Sequence, residues 1–311
     1  MEISRRNLVK SASFAGLGLV TNIEQLEKKK KHNFSFCLNT STIREQNLGL
    51  IGEMECAAKA GYDSIEIWMN TLQKYVDNGG NLKDVQKRAA DLNLKIEDAI
   101  GFPKWIIDDE NERVKSLEQT KKEMGMLAEI GCPRMAAPPF GAQTLAKKID
   151  LGAVTERFAK LQLLGDVAGV TPQLEMWGFS TNLHLLGEVL YVAAETGHQN
   201  SLVLSDIYHL HKGGSSFNSL KLLNGKGMQM FHINDYPKEP PREKIVDADR
   251  VFPGDGVAPL TQVYKELNSK NVPIVLSLEL FNKEYWKMDA TLAAKTGLDK
   301  MKASVNKALG I

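Results

Sequence analysis

The sequence predicts an α/β fold, a (β/α)8 TIM barrel, on three observations. From Phe34 onward, apolar strand-like runs alternate with segments of helical periodicity. The helix-like segments stop at glycines, Gly61, Gly131, Gly169, Gly197 and Gly225, shortly before the next apolar run. Four successive runs then carry a lone ionisable residue within or just after the strand, where a parallel barrel presents its working side chains.

Taken in order, residues 34–38 form a first strand that leads into Asn39, Thr40 and Ser41. A helix over 48–59 is closed by Gly61, and 62–68 give the second strand. A helix at about 81–93 precedes the third strand, 94–100, and one at about 110–130 precedes the fourth, Arg134–Ala137, which Pro138 and Pro139 end. A helix at about 150–168 leads to the fifth strand, 172–177, and one at about 183–196 to the sixth, 201–205, with Asp206 at its end. A short helix near 217–224 precedes the seventh strand, 228–232. A helix at about 258–269 leads to the eighth strand, 274–280, and a last helix fills about 285–308. Eight strand–helix units in this order describe a closed barrel.

The chain has 311 residues, and about 280 remain once its first thirty or so are set aside. A barrel of this type runs as one domain of roughly 250 residues, so the division expected is 1–32 as an address and linker and 33–311 as a single barrel domain. An apolar content of 43% supplies a sizeable core. The 39 basic and 38 acidic residues give a net charge of +1, which argues against a nucleic-acid partner, since that needs a clustered basic face. Cys37, Cys56 and Cys132 lack metal-site or disulfide-framework spacing and read as buried small hydrophobes. Ser4-Arg5-Arg6-Asn7-Leu8-Val9-Lys10 followed by an apolar stretch resembles a twin-arginine export signal. It predicts export to the periplasm, with a cytoplasmic location the alternative where the signal does not function, and the segment is too short for stable insertion across a bilayer.

The candidate site lies at the ends of strands five to eight. The fifth strand carries Glu175, the sixth ends in Asp206, the seventh in His232, and the eighth carries Glu279. Unpaired carboxylates within apolar strands are costly to bury and either neutralise or find a cation. Parallel in one barrel, these three carboxylates and one imidazole meet at its C-terminal mouth. A divalent metal then supplies the missing charge. The ligand atoms are oxygen and nitrogen without thiolate, which favours Mn²⁺, with Mg²⁺ or Co²⁺ as alternatives, over a structural zinc site. A salt bridge to a barrel Lys or Arg is the competing expectation for any one of the carboxylates. After the seventh strand a long polar loop, containing Asn234 and Asp235, runs to Arg250 and Pro253-Gly254-Asp255-Gly256, and Arg250 is its leading substrate-facing candidate.

These stretches, with Asp206-Ile207-Tyr208-His209, His232-Ile233-Asn234-Asp235 and Ser277-Leu278-Glu279, resemble the xylose-isomerase-like family of sugar isomerases and epimerases. Ketose 3-epimerases and inosose dehydratases are its nearer members, and the resemblance spans about 34–309. It implies a metal held by Glu175, Asp206, His232 and Glu279, with Glu175 and Glu279 as the acid–base pair. It also implies that His209 and Arg250 contact substrate oxygens, and that Glu66 is a substrate-side or supporting acid, with a plain surface ion pair equally open. The activity implied is proton abstraction beside a carbonyl through a metal-stabilised enediolate. The same set serves isomerisation, epimerisation, or β-elimination by a lyase or dehydratase acting on a keto-sugar or keto-glycoside. A sugar-binding protein on an inactive barrel is a further reading. An endonuclease IV-like repair enzyme shares the barrel, but six histidines in all and a near-zero net charge argue against it. A homo-oligomer is allowed for, though no stretch marks an interface. His211-Lys212-Gly213-Gly214 reads as a ligand grip or a turn, and Trp68, Trp105 and Trp177 read as sugar-stacking or core residues. His184 and His198 fall on or beside a helix and read as structural or solvated.

Overall fold

The computed structural model describes residues 32–311; the motif expected to direct export, residues 4–10, lies outside the described residues. The described residues form eight strands: β1 Phe34–Asn39, β2 Ser64–Trp68, β3 Lys95–Ile100, β4 Arg134–Ala137, β5 Thr171–Glu175, β6 Leu202–Asp206, β7 Met230–Ile233 and β8 Ile274–Leu278. Their ladders are all parallel, in the order β3-β2-β1-β8-β7-β6-β5-β4, and β3 and β4 lie in contact, so the sheet is a nearly closed barrel. This is the expected fold.

The period of two along each strand separates two cores. Leu38, Ile65, Ile67, Leu174, Phe231, Leu276 and Leu278 pack with the helices in the outer core, while Cys37, Ile100, Ala136, Leu204, Met230 and Val275 form a separate cluster. That second cluster is the barrel interior, because its members alternate with the outer-core residues along their strands. Each large side chain fully buried in either core contributes about 1.5–3 kcal/mol. The same phase carries on upward: Leu204 is followed two residues later by Asp206, Met230 by His232, and Val275 by Ser277 and then Glu279. The ladder sets the heights, pairing Asp206 with His232 and His232 with Ser277. Cys37, Cys56 and Cys132 are all buried and free, as expected.

Around the barrel run α1 Gly49–Ala60, α2 Met69–Asp77, α3 Leu82–Asp91, α4 Glu110–Glu129, α5 Leu151–Ala168, α6 Leu186–Glu195, α7 Ile207–Gly213, α8 Leu260–Ser269 and α9 Ala290–Leu309. Several begin at a side chain that accepts a free backbone N–H, among them Asp109 before α4, Asp150 before α5 and Asp289 before α9. Gly61, at φ 93°, closes α1 in the left-handed region.

Several helices depart from the expected pattern. The segment near 217–224 is a 3₁₀ turn, Phe217–Leu222, and the α-helix after β6 is α7. The cap of α7 is Asp206 itself, whose Oδ1 accepts the His209 N–H at 2.8 Å. α2 leaves β2 directly, with no capping side chain at Trp68. The last helix starts at Ala290 rather than near 285, after a 3₁₀ turn at Tyr285–Lys287. No helix among the described residues is long and apolar enough to cross a membrane.

α7 docks backbone to backbone against the loop after β5. A Cβ added at Gly178 would stand 2.3 Å from His209 O and 2.6 Å from Gly213 N. Gly178→Ala is therefore expected to destabilise the protein by about 1–3 kcal/mol in urea unfolding. A change within experimental error would show that this contact is looser than described.

Candidate metal centre and active site

His232, fully buried on β7, is fixed from behind. Its Nε2 lies 2.9 Å from Glu66 Oε1. Glu66 Oε2 accepts Ser277 Oγ–H at 2.5 Å and Asn39 Nδ2–H at 2.8 Å. A carboxylate at Nε2 selects the ring orientation that turns Nδ1 the other way. Nδ1 then faces Glu279 Oε2 at 3.1 Å and Asp206 Oδ2 at 3.9 Å, without an aligned hydrogen bond. Glu66 is thus a support behind His232. It is buried, so the surface ion pair left open for it does not occur, and it does not line the cavity described below.

One ligand atom each from Asp206, His232 and Glu279 lies within 4.8 Å of the others, a spacing that could hold one cation. Glu175, the fourth expected ligand, falls outside that group. It faces the same cavity, buried, with Oε2 unpartnered.

Arg250 supplies the countercharge here. Its buried guanidinium donates from Nη1 to Asp206 Oδ2 at 3.0 Å and to Glu279 Oε2 at 2.8 Å. Nη2 donates to Asp247 Oδ1 at 2.5 Å and lies 3.2 Å from His209 Nε2. The guanidinium also lies over the Tyr208 ring, 4.3 Å from its centroid. For Asp206 and Glu279, the salt bridge weighed against the metal is therefore present.

The electrostatics follow from burial and these partners. Burial raises the pKa of Glu175, as does Glu279, to about 8. Glu279 is just as buried, but His232 and Arg250 outweigh that and hold it well below the usual carboxylate range. Burial disfavours the His232 imidazolium, yet Glu279 and Glu66 prevail and hold its pKa well above the ordinary value. Burial and Arg250 hold His209 neutral. With its Nε2 facing the arginine, His209 has a buried, unpartnered Nδ1 left to donate to a ligand oxygen.

The cavity these groups share measures about 120 Å³. Besides Glu175, His209, Arg250 and Glu279, it is walled by Trp68, Phe102, Trp177, Phe179 and Phe281. Ring centroids of 6.1 Å for Trp68–Phe281, 5.5 Å for Trp68–Phe102, 6.2 Å for Phe102–Trp177 and 5.1 Å for Trp177–Phe179 make this a connected apolar wall. Phe102, Phe179 and Phe281 carry no spacing signal in the sequence, and each joins the wall because it follows a strand end. Trp105 is a core residue, packed on Phe158 with its Nε1–H donated to Pro138 O at 2.8 Å.

The loop motifs serve structure. Lys212 Nζ donates to the carbonyls of Arg242, Glu243 and Ile245 at 3.1, 3.0 and 2.8 Å, and His211 stacks on Tyr236. The Asp235 carboxylate accepts backbone N–H groups from Tyr236, Gly254, Gly256 and Ala258, which folds the Pro253–Gly256 turn. Together these bonds return the chain so that Arg250 enters the mouth. His184 pairs with Glu188 and His198 with Asp166, both away from the cavity.

The donor set fits a divalent ion in chemistry. It offers oxygen and imidazole nitrogen without thiolate, and the His232 Nδ1 and Glu175 Oε2 atoms are buried without partners. An ion here would take over the countercharge that Arg250 Nη1 now provides and replace the proton on Nδ1.

Residues 54–304 match the family described as Xylose isomerase-like TIM barrel. Over 274 residues the chain is 27% identical to an inosose isomerase of Bacillus velezensis, covering 87% of this chain and 97% of that protein. In structure it resembles the IOLI protein with a bound zinc atom, with a TM-score of 0.80 and 26% identity over 89% of this chain and 100% of that one. An L-ribulose 3-epimerase shares the fold at a TM-score of 0.71 and 18% identity, over 88% of this chain and 95% of that one.

Removing Arg250 leaves two buried carboxylates facing each other. Arg250→Met is expected to cost about 3–5 kcal/mol in urea unfolding of metal-free protein, and excess MnCl₂ should restore part of the loss. A cost below about 1 kcal/mol would contradict the countercharge role.

Proposed function

We propose, for a chain that belongs to the xylose isomerase-like TIM barrel family, that it is a divalent-metal-dependent isomerase or epimerase of a keto-sugar or cyclic keto-polyol. The observation that carries this reading is the convergence of Asp206, His232 and Glu279 beside a cavity into which Glu175 brings a buried carboxyl whose Oε2 has no hydrogen-bond partner. The relatives named inosose isomerase support a small polyhydroxylated ketone as substrate.

Asp206, His232 and Glu279 would hold the ion, and Glu175 faces the adjoining cavity outside that group. When bound, a divalent metal supplies Lewis-acid polarisation of a carbonyl oxygen, a contribution of several kcal/mol. The protein's own groups do the rest. Glu279, held as a carboxylate, would take the proton beside the carbonyl. Glu175, held protonated by burial, would deliver one to the other face or to the neighbouring carbon. His209 Nδ1–H would hold a substrate oxygen, Arg250 another, and the aromatic wall would exclude water from the reacting face. We favour Mn²⁺ from the donor set, with zinc as the alternative because the IOLI protein binds it. We also keep export as part of the proposal, resting on Arg5 and Arg6 and the residues around them alone.

A protonated Glu175 would equally protonate a leaving oxygen, which favours β-elimination as the second reading. In D₂O, with an inosose or a ketohexose, deuterium entering an isomeric product supports isomerisation. Release of water or an aglycone supports the lyase.

Two outcomes are expected. Metal analysis of the purified protein should find about one divalent ion per chain, and a chelator should abolish turnover until the ion is returned. Full turnover after complete chelation would contradict metal dependence. Glu279→Gln should lower kcat by about 10²–10⁴-fold, and kcat within tenfold of the parent would contradict its role as base.

A further inference from the structure

Trp68 borders two spaces: it lines the small cavity at Glu175 and Glu279 and also a second cleft of about 580 Å³. The indole is fixed in place: its Nε1–H donates to Asn39 Oδ1 at 3.0 Å, and Asn39 reaches Glu279 with Nδ2 at 3.3 Å. The Arg44 guanidinium lies over the ring, 4.6 Å from its centroid. The far wall of the cleft comes from α2, an element additional to the strand–helix alternation and inserted directly after the C-terminal end of β2. Barrels place binding determinants in such insertions at this end.

The chemistry of the cleft is that of a neutral, hydroxyl-rich ligand. Asn47, Asn70, Thr71 and Asn78 can each donate and accept, as sugar hydroxyls do. Arg44 and Lys74 are offset by Glu45 and Glu53, so no single sign of charge selects an ion. Tyr75 adds a ring to that of Trp68. Glu53 is the built feature. It is only 5% exposed, it lines the cleft, and its Oε2 has no hydrogen-bond partner. A buried acceptor in that state is satisfied by a donor that arrives with a ligand. Burial pushes its pKa up to about 7, so near neutral pH it can serve as acceptor or donor.

We infer that this cleft is a second sugar subsite, which takes the outer ring of a two-ring substrate, a disaccharide or glycoside, while the keto-sugar ring occupies the cavity at Glu175 and Glu279. The inference rests on the proposed catalytic reading of that cavity and extends it from one ring to two.

The test compares dissociation constants by titration calorimetry, on the full chain with MnCl₂ present. D-fructose is the one-ring probe, and lactulose and turanose are the two-ring probes. At least one two-ring probe should bind ten times more tightly than fructose or better. Thr71→Trp, which fills the cleft, and Glu53→Gln, which alters its buried acceptor, should each reduce that advantage to threefold or less and leave fructose binding within twofold of the parent. Unchanged fructose binding also reports that both variants are folded. Fructose binding with no two-ring advantage, or an advantage that neither variant moves, overturns the subsite and leaves the catalytic reading in place. Binding of none of the three sugars overturns both.

Discussion

His232 is held from behind by Glu66 and faced from the front by Glu279 and Asp206, so one imidazole sits among three carboxylates inside the barrel. Such a group stays folded only if charge is balanced within hydrogen-bonding distance, because burial multiplies the cost of any charge left alone. The balance is struck by the proton His232 retains and by Arg250, whose Nη1 bridges Asp206 and Glu279. Glu175 lies outside that bridge, and burial, with Glu279 adding to it, outweighs the pull of His232 and raises its pKa to about 8. One charge balance thereby produces both a cation-ready cluster and a pair of carboxyls in opposite protonation states.

The same balance explains the loop that follows β7. Arg250 can reach the mouth only if the chain leaves the barrel and returns. Four backbone donors on Asp235 and the three carbonyls gripped by Lys212 hold that return in place. Asn234 ties it to the site, accepting the Tyr208 N–H at 3.1 Å and donating to Asp206 Oδ2 at 2.9 Å. Residues that look like ligand-binding polar groups in the sequence act here one step back, by fixing the arginine.

Much of this was legible because strand period and apolar context are local. A lone ionisable residue within or just after an apolar strand marks the barrel mouth, which singles out Asp206, His232 and Glu279 in the sequence, and the structure adds that they lie in phase with Leu204, Met230 and Val275. Proximity across the mouth was less legible, since it depends on how far each side chain reaches. Glu175 shares the phase and the cavity yet stands apart from the cluster, and Arg250 lines the cavity and also reaches the carboxylates of Asp206 and Glu279. Glu66 could not be told from a surface acid, because Ser64 and Ile65 before it do not reveal that Asn39, Ser277 and His232 will converge on it. α7 is hard to read because Asp206, its cap, is also the last residue of β6, so the helix follows the strand with no intervening loop. α2 was hidden because it starts without a capping side chain. The aromatic wall had no periodic signature, as Phe102, Phe179 and Phe281 come from three separate loops.

The most direct measurement is a crystal structure of the protein soaked with MnCl₂, with anomalous scattering used to locate the ion. The expected map has one ion bound by His232 Nδ1 and by carboxylate oxygens of Asp206 and Glu279, with Arg250 Nη1 moved off those oxygens and Glu66 still at Nε2. A map with Arg250 still bridging the two carboxylates, and no ion within bonding distance of His232, would contradict the metal centre on which the enzymatic reading depends.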